Sequence, residues 1–186
     1  GNSLEVIESV DILKGNTSGD LWTVCRELSC RMLMLAGIGD REKCAELVDE
    51  AVSSGEALRR FEMMVKSQGG DVSYIEDTSN FKKASFSREV YAPADGYITH
   101  MDSENIGLTA VLLGAGREKK EDNIDPAAGI VISAKTGDFV KRGELLATLF
   151  SNDKSRLDGA ETRYLSAVSI GAQKPAAQPM ILDYID

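Results

Sequence analysis

The sequence contains few of the residue types that most often carry catalysis or bind metals. Among its 186 residues there are one histidine and three cysteines. His100 has Asp102 nearby, but this neighbour is too close in sequence to orient it as a general base, so we expect an ordinary strand or surface histidine. No serine or cysteine has an evident base, and no motif is of the kind that cradles a nucleotide phosphate. These absences argue against a complete active site within this chain.

The three cysteines, Cys25, Cys30 and Cys44, do not follow a disulfide or metal-binding pattern. An odd number without paired spacing indicates reduced thiols in a cytoplasmic protein. Because Cys25 and Cys30 are five residues apart, a helix would not place them on one face. We therefore expect buried, small hydrophobic side chains rather than metal ligands.

Positive charge and long apolar runs are scarce as well. The 21 lysines and arginines stand against 30 aspartates and glutamates, which gives a net charge of −9. This balance argues against a nucleic-acid partner, because no broad basic face is available. No apolar run is long enough to span a bilayer, and the N-terminus lacks a signal-peptide pattern, so we expect no membrane partner. The remaining composition, 42% hydrophobic and 27% charged, is ordinary for a globular protein of one large or two small domains.

The first 70 residues carry the pattern of four helices. We predict a first helix from Ser3, as its N-cap, to about Lys14, and a third helix that begins after the cap Asp40. Helical spacing of apolar residues is clearest in the second helix, where it joins Leu21, Cys25, Leu28, Met32 and Leu35. Trp22 and Leu33 widen this face, so we expect the second helix to be buried on most of its circumference.

The fourth predicted helix lies between Gly55 and Gly69. It carries the pair Arg59 and Arg60, and one interpretation of this pair is an anion-binding patch. Because Glu56 lies on the same exposed stretch, we interpret the pair as a solvated helix face.

The second half of the chain follows strand patterns. Residues 71–85 show no clear period and indicate a linker. Predicted strands cover 86–91, 97–101, 129–135, 139–140, 145–150 and 180–185, and predicted helices run from Asp102 or Ser103 to Gly114 and from Lys154 to about Val168. We predict an α/β (α+β) fold with a helical segment over 1–70, a linker over 71–85 and a β-rich module over 86–186.

A glycine-rich stretch, 112–125, joins the helical and strand patterns of this module. Gly114 and Gly116 close an apolar segment, and Arg117 precedes a dense polar run. One interpretation is a phosphate loop, but the Gly-Lys-Ser/Thr ending and a preceding strand are both missing. The alternative is a helix stop followed by an arginine that holds neighbouring loops by hydrogen bonds.

One pattern resembles the barrel-sandwich half of biotinyl and lipoyl carrier domains. It consists of Ala92-Pro93-x-x-Gly96 followed by Gly137-Asp138-Phe139-Val140-x-x-Gly143-Glu144-Leu145. Such carriers present a modified lysine on an exposed hairpin. The nearest lysine, Lys135, lies on the wrong side of the pattern, and the Met-Lys-Met hairpin is absent. The resemblance implies the shape of the module rather than a lipoylated lysine.

A second resemblance covers nearly the whole chain and rests on several motifs in one order. They are Gly1-Asn2-x-Leu4-Glu5-Val6, Gln68-Gly69-Gly70-Asp71, Ala92-Pro93, Leu113-Gly114-Ala115-Gly116-Arg117, Glu121-Asp122-x-Ile124-Asp125 and Gly137-Asp138-x-Val140. This order resembles the C-terminal part of the pyrimidine-nucleoside phosphorylases, the thymidine phosphorylase family. The segment from Leu182 to Ile185 resembles the closing strand of that family. One departure is Ala128, where the family leads us to expect a valine, and it bears on local packing.

The resemblance implies a helical domain and an α/β domain with the substrate between them. Members of the family cleave the N-glycosidic bond of uridine, thymidine or deoxyuridine with inorganic phosphate, releasing the base and a (deoxy)ribose 1-phosphate. The phosphate loop and the residues that bind the pyrimidine lie upstream of the Gly-Asn-x-Leu-Glu-Val motif. No residue of this chain therefore receives a catalytic or substrate-binding role. The full-length enzyme is expected to be a cytoplasmic homodimer.

One site residue of the family does match a position here. The resemblance implies a potassium site whose carboxylate lies seven positions past the first glycine of the motif, which is Glu8. A hard cation prefers oxygen ligands, and a carboxylate adds charge among backbone carbonyls. The other implied ligands are backbone oxygens outside this chain, so we expect Glu8 alone to bind no ion.

We interpret the chain as the C-terminal region of such an enzyme, inactive when isolated. Its sequence starts within a helical pattern and without methionine, as expected for part of a larger protein. A carrier or interaction module with a modified Lys135 is the alternative. A fragment that only dimerises through an exposed apolar surface is a third.

Overall fold

The structure is a computed structural model that describes residues 1–117 and 119–184. It mixes helices with antiparallel sheets, which confirms the predicted α/β (α+β) class. The chain divides into two compact units. One, the β-rich unit, combines residues 1–5 with residues 81–177, and the other, the helical unit, combines residues 6–80 with the residues from Gln178 on.

Five helices precede the first strand. They are α1 (Asn2–Leu13), α2 (Gly19–Leu35), α3 (Arg41–Ser53), α4 (Glu56–Ser67) and the short α5 (Ser73–Glu76). Asp40 caps α3 as predicted, because its carboxylate accepts a hydrogen bond from the backbone N–H of Lys43 at 2.9 Å. The prediction of Ser3 as the N-cap of α1 is wrong by two positions, since the helix already begins at Asn2.

The core of the helical unit is small. Its buried apolar side chains come from α1, α2, α3 and α5, and they are Val10, Ile12, Cys30, Cys44, Val48, Val52 and Ile75. Helix α4 contributes no buried residue. The prediction that α2 is buried on most of its circumference is wrong, because Leu28, Met32 and Leu35 are 59%, 70% and 89% exposed.

The β-rich unit contains six strands and two longer helices. The strands are β1 (Phe86–Tyr91), β2 (Gly96–Met101), β3 (Gly129–Ile132), β4 (Phe139–Val140), β5 (Leu145–Ser151) and β6 (Val168–Gly171). Helix α6 (Ser103–Ala110) continues into a π-helical turn (Val111–Ala115), and α7 (Leu157–Ala167) follows β5. Asp102 caps α6 by accepting from the backbone N–H of Asn105 at 3.1 Å.

The strands form two three-stranded antiparallel sheets, ordered β1-β5-β3 and β4-β2-β6. In the first sheet β5 lies in the centre and pairs Phe86 with Ser151 on one side and Gly129 with Phe150 on the other. Its buried pattern is nearly continuous, as expected for a central strand covered on both faces. The core of this unit lies around it and includes Val90, Ile98, Leu113, Val140, Leu146, Leu149, Leu157 and Tyr164.

Three predictions at the level of elements need correction. The expected linker over 71–85 contains α5 and a 3₁₀ turn (Thr78–Asn80). Strand β6 was not predicted, and its first residue, Val168, was assigned to the end of the preceding helix. The strand predicted over 180–185 does not form over its described part, Met180–Tyr184; Ile185 lies outside the described residues.

Candidate functional site

An open apolar groove lies in the helical unit. It has a volume of about 760 Å³ and lies among α1, α2, α3 and α4. Its walls include Leu13, Leu21, Trp22, Cys25, Met32, Leu33, Leu47, Ala51, Ala57 and Phe61, with Ser9 and Ser29 as the polar members. Among the described residues, no charged side chain lines it. A groove of this composition fits an apolar protein surface better than a phosphate or a sugar, which need polar partners.

The exposed face of α2 has the spacing of a core helix but no cover within its unit. Leu28, Met32 and Leu35 follow the +4 and +3 steps that normally mark a buried stripe. In the structure the residues of α2 that are buried are Glu27 and Cys30, on another face. The periodicity therefore correctly identified an apolar face, but burial of that face needs a surface that the helical unit does not supply.

A buried carboxylate organises the opposite side of α2. Glu27 is 8% exposed and accepts hydrogen bonds from Arg41 at 2.9 Å and Arg31 at 3.0 Å. These bonds, with that from Arg41 the stronger influence, hold the pKa of Glu27 below its usual value against the opposing effect of burial. The guanidinium of Arg31 stacks over the ring of Tyr184, 4.0 Å from its centroid. The tail of the chain is thus attached to the helical unit by a cation–π contact.

The glycine-rich stretch ends α6 as the helix-stop interpretation predicts. Gly114 adopts φ +109°, a left-handed conformation that favours glycine. Two backbone N–H groups of the polar run after it are bonded within this stretch: that of Lys119 donates to the Asp122 carboxylate at 2.8 Å, and that of Asp125 donates to the Gly114 carbonyl at 2.9 Å. These two N–H groups are therefore not available to bind a phosphate.

Arg156, rather than Arg117, is the arginine whose bonds hold this stretch in the described structure. Its Nη1 donates to the Leu112 carbonyl at 3.3 Å, and its Nε donates to Asp153 at 3.2 Å. Arg117 is exposed. Sequence reasoning missed Arg156 because it lies 44 residues from its carbonyl partner, and only the fold brings the two together.

Glu8 lies exposed on α1, and it can offer one carboxylate oxygen to a cation. Within residues 1–117 and 119–184, no three histidine, cysteine, aspartate or glutamate side chains cluster closely enough to hold a metal ion. The residues present therefore fit a contribution of one ligand and not a complete site.

The remaining candidate residues are surface residues of the β-rich unit. His100 is exposed on β2, opposite Ser169 of β6. Lys135 is exposed on the loop between β3 and β4, where its backbone N–H donates to Asp138 at 2.7 Å. The exposed position of His100 agrees with the predicted strand or surface histidine.

The arginine pair of α4 is engaged internally. Arg59 donates two hydrogen bonds to Glu56, at 2.8 and 2.6 Å, and Arg60 donates one at 2.9 Å. The bonds from Arg59 and then Arg60 lower the pKa of Glu56 to about 2. The carboxylate occupies the place that an anion would take, which supports the interpretation as a surface ion-pair network.

Burial separates the three cysteines. Cys30 and Cys44 are buried as predicted, and burial raises the pKa of the Cys44 thiol. Cys25 is exposed, contrary to the prediction, because it lies at the edge of the open groove. All three thiols are free.

No helix within the described ranges is long and apolar enough to cross a membrane.

Comparison with known proteins finds similarity to one family of enzymes. Residues 97–171, which include β3, β4, β5, β6 and all of β2 but its first residue, match the family model described as the pyrimidine nucleoside phosphorylase C-terminal domain. A pyrimidine-nucleoside phosphorylase of Geobacillus stearothermophilus is 36% identical over 186 residues, which is 100% of this chain and 43% of that protein. A pyrimidine-nucleoside phosphorylase of Staphylococcus aureus (strain USA300) is 39% identical over 171 residues, which is 91% of this chain and 39% of that protein.

The chain thus spans about two fifths of the length of the curated relatives it matches. The similarity extends over the helical unit as well as the β-rich unit. It does not favour the alternative of a carrier module with a modified Lys135.

Proposed function

We propose that this chain, which corresponds to the C-terminal region of the pyrimidine-nucleoside phosphorylase family, is the non-catalytic C-terminal part of an enzyme that cleaves pyrimidine (deoxy)nucleosides with phosphate. The observation that carries the proposal is the match of all 186 residues to a relative of which they span 43%. The products are the free base and a (deoxy)ribose 1-phosphate. The transferred group is the pentose, so the enzyme is a glycosyltransferase of nucleoside salvage.

Catalysis in this enzyme belongs to the upstream part. A phosphorolytic site needs donors that hold the phosphate and charges that stabilise the developing oxocarbenium-like sugar. In the described chain His100, Lys135 and Glu8 are exposed surface residues, and the large groove is apolar. On its own the chain is therefore inactive toward nucleosides.

The role of the helical unit is to cover and support the upstream part. The groove around Trp22 and the exposed α2 face with Leu28, Met32 and Leu35 present apolar surface to water. Contiguous apolar surface of this kind marks an interface. Its occupant in our proposal is the upstream part of the same enzyme, which makes up more than half of the relatives' length.

We further propose that Glu8 supplies one carboxylate oxygen to a potassium ion in the full-length enzyme, with backbone carbonyls of the upstream part completing the site. Support comes from its place seven positions past the first glycine of the Gly-Asn-x-Leu-Glu-Val motif and from its exposure on α1. Replacing Glu8 by glutamine should raise the potassium concentration needed for half-maximal activity and for thermal stabilisation, whereas Glu42→Gln, at an exposed glutamate of α3, should change neither.

The same proposal makes the full-length enzyme a cytoplasmic homodimer. The three free thiols agree with a reducing compartment.

The reaction itself is tested with the full-length enzyme, uridine or thymidine, and inorganic phosphate. We expect free base and pentose 1-phosphate to appear in equal amounts, and base release to stop when phosphate is omitted. Base release that is independent of phosphate and yields free pentose would identify a hydrolase and overturn the proposal.

A further inference from the structure

Two glycines that are far apart in sequence face each other across the start of α1. A Cβ atom placed on Gly1 would lie 1.8 Å from the carbonyl oxygen of Ala128, and one placed on Gly129 would lie 2.8 Å from the backbone nitrogen of Gly1. The second Cβ would also lie 3.0 Å from Cδ1 of Leu4. The nearest obstructing atoms belong to the backbone, so a larger residue cannot be accommodated by turning a side chain. Both positions require glycine because two backbone segments touch there.

A hydrogen bond fixes the same contact. The backbone N–H of Ser3, in the first turn of α1, donates to the carbonyl oxygen of Pro126 at 3.0 Å. The first N–H groups of a helix have no partner within the helix, so this carbonyl satisfies a donor that would otherwise need water or a cap. Ser3 is 9% exposed and Ala128 is fully buried, so the contact is shielded from solvent.

The segment that receives α1 is itself held by the β-rich unit. The carboxylate of Asp125 accepts a hydrogen bond from the Ala127 N–H at 3.0 Å and another from the Asn152 side chain at 2.8 Å. Asn152 follows β5, the central strand of its sheet. The backbone N–H of Asp125 donates to Gly114, at the end of the π-helical turn. The segment Asp125–Gly129 is thus held in place by hydrogen bonds to the rest of the β-rich unit.

We infer that Gly1 and Gly129 are positioning residues, whose close backbone contact seats the first turn of α1 on the segment Asp125–Gly129. This contact fixes where α1 begins. Residues 1–5 of the chain belong to the β-rich unit, while α1 continues into the helical unit. If the proposed function holds, on which this consequence rests, the glycine contact positions the first turn of α1, the helix whose sequence also includes Glu8.

Hydrogen exchange of the Ser3 amide in this chain tests the inference directly. We expect Gly129→Ala to speed exchange at Ser3 by about tenfold or more, because the added methyl group separates the Ser3 donor from the Pro126 acceptor. Amides of the β3–β5 ladder should keep the rates of the unsubstituted chain. Gly1→Ala should give the same local effect, because its added Cβ would meet the Ala128 carbonyl oxygen.

Two features of the design separate the contact from general effects of replacing glycine. Gly137→Ala is the matched control, since Gly137 has φ +97° and no atom lies within 4 Å of the place that its added Cβ would take. The double variant Gly1→Ala/Gly129→Ala should speed exchange little more than either single change, because both remove one contact. Ser3 exchange in the glycine variants equal to that of Gly137→Ala would overturn the inference.

A second arm uses the full-length enzyme. There Gly129→Ala should lower kcat/KM for phosphorolysis by about tenfold or more, and Gly137→Ala should not, because small displacements of supporting helices are costly in an active site. Unchanged kcat/KM with fast Ser3 exchange would overturn the positioning role. An unsubstituted full-length protein without phosphorolysis would instead refute the proposed function, and the exchange result would still decide the glycine contact.

Discussion

At the scale of single residues, two buried hydroxyl groups in the β-rich unit differ in their hydrogen bonding. Ser151 is 1% exposed and donates to the Leu113 carbonyl at 2.7 Å. The hydroxyl of Tyr164 is also buried, but no partner for it is found among the described residues. Burying a hydroxyl without a partner costs free energy, whereas a bonded one is close to neutral or favourable.

We therefore expect opposite results from removing the two hydroxyls. Tyr164→Phe should leave the free energy of unfolding unchanged or raise it by up to about 1 kcal/mol, while Ser151→Ala should lower it by about 1–2 kcal/mol. Urea unfolding of both variants beside the unsubstituted chain measures this. A loss of stability in Tyr164→Phe as large as that in Ser151→Ala would show that Tyr164 has a partner.

The same tyrosine gives the stability a dependence on alkaline pH. Burial raises the pKa of Tyr164 from 10.0 to about 12. A folded-state pKa above the unfolded one contributes stability that is present below the unfolded value and is lost as the pH rises through the folded value. Stability should therefore fall above pH 10.0 in the unsubstituted chain, and Tyr164→Phe should reduce that fall.

Glu27 gives the helical unit a dependence on acidic pH. Hydrogen bonds from Arg41 and Arg31 hold its pKa below the usual value of about 4.3. A lowered folded-state pKa contributes stability above the unfolded value and loses it as the pH falls through the folded value. Glu27→Gln should lower the free energy of unfolding at neutral pH by about 1–2 kcal/mol, and the difference should shrink below pH of about 4.

Urea titrations at neutral and acidic pH measure this difference. The matched control is Glu42→Gln, at an exposed glutamate of α3. A difference between Glu27→Gln and the unsubstituted chain that stays constant with pH would contradict an ionised, hydrogen-bonded Glu27.

At the scale of elements, local chemistry predicted where helices and strands lie, and tertiary contacts decided the rest. The strand Phe86–Tyr91 and the caps Asp40 and Asp102 follow from alternation and from side-chain hydrogen bonds within three residues, so the sequence sufficed. Strand β6 exists because β2 offers it a pairing edge, which its four residues do not encode. The segment Met180–Tyr184 has strand composition but meets Arg31 instead of a sheet edge.

The open groove between helices leads to a prediction about ligand binding. Trp22, the one tryptophan of the sequence, lines the groove, so its fluorescence reports occupation. We expect an environment-sensitive apolar dye to bind this chain and to quench or blue-shift Trp22 emission. Met32→Gln should weaken dye binding by about fivefold, because it removes apolar wall surface.

Leu35→Gln is the matched control for that experiment. Leu35 is also exposed on α2 but does not line the groove. Both variants should stay within about 0.5 kcal/mol of the unsubstituted stability, as surface substitutions usually do. Equal dye binding by the two variants would show that the dye does not occupy the groove.

At the scale of the whole molecule, the proposed function rests on the similarity of the chain to its relatives. The motifs from Gly1 to Val140 resemble one family, and a relative with that family's name is 36% identical over all 186 residues. What sequence reasoning could not foresee was the seat of α1, since Gly1 and Gly129 are separated by more than a hundred residues and only the fold shows their contact. The same holds for Arg156 and Leu112.

The distribution of apolar surface also belongs to this scale. The β-rich unit encloses a core around β5, whereas the helical unit leaves the groove and the α2 face open. This asymmetry agrees with our proposal that the apolar surface of the helical unit packs against another part of the enzyme.

The most direct measurement is base release from uridine and thymidine, followed by absorbance, with this chain alone and after addition of the separately produced upstream part. We expect no phosphate-dependent release from the chain alone and release from the mixture, because in our proposal the chain supplies support and the upstream part supplies the site. Release by the chain alone would contradict the account and would place a complete site within its own residues.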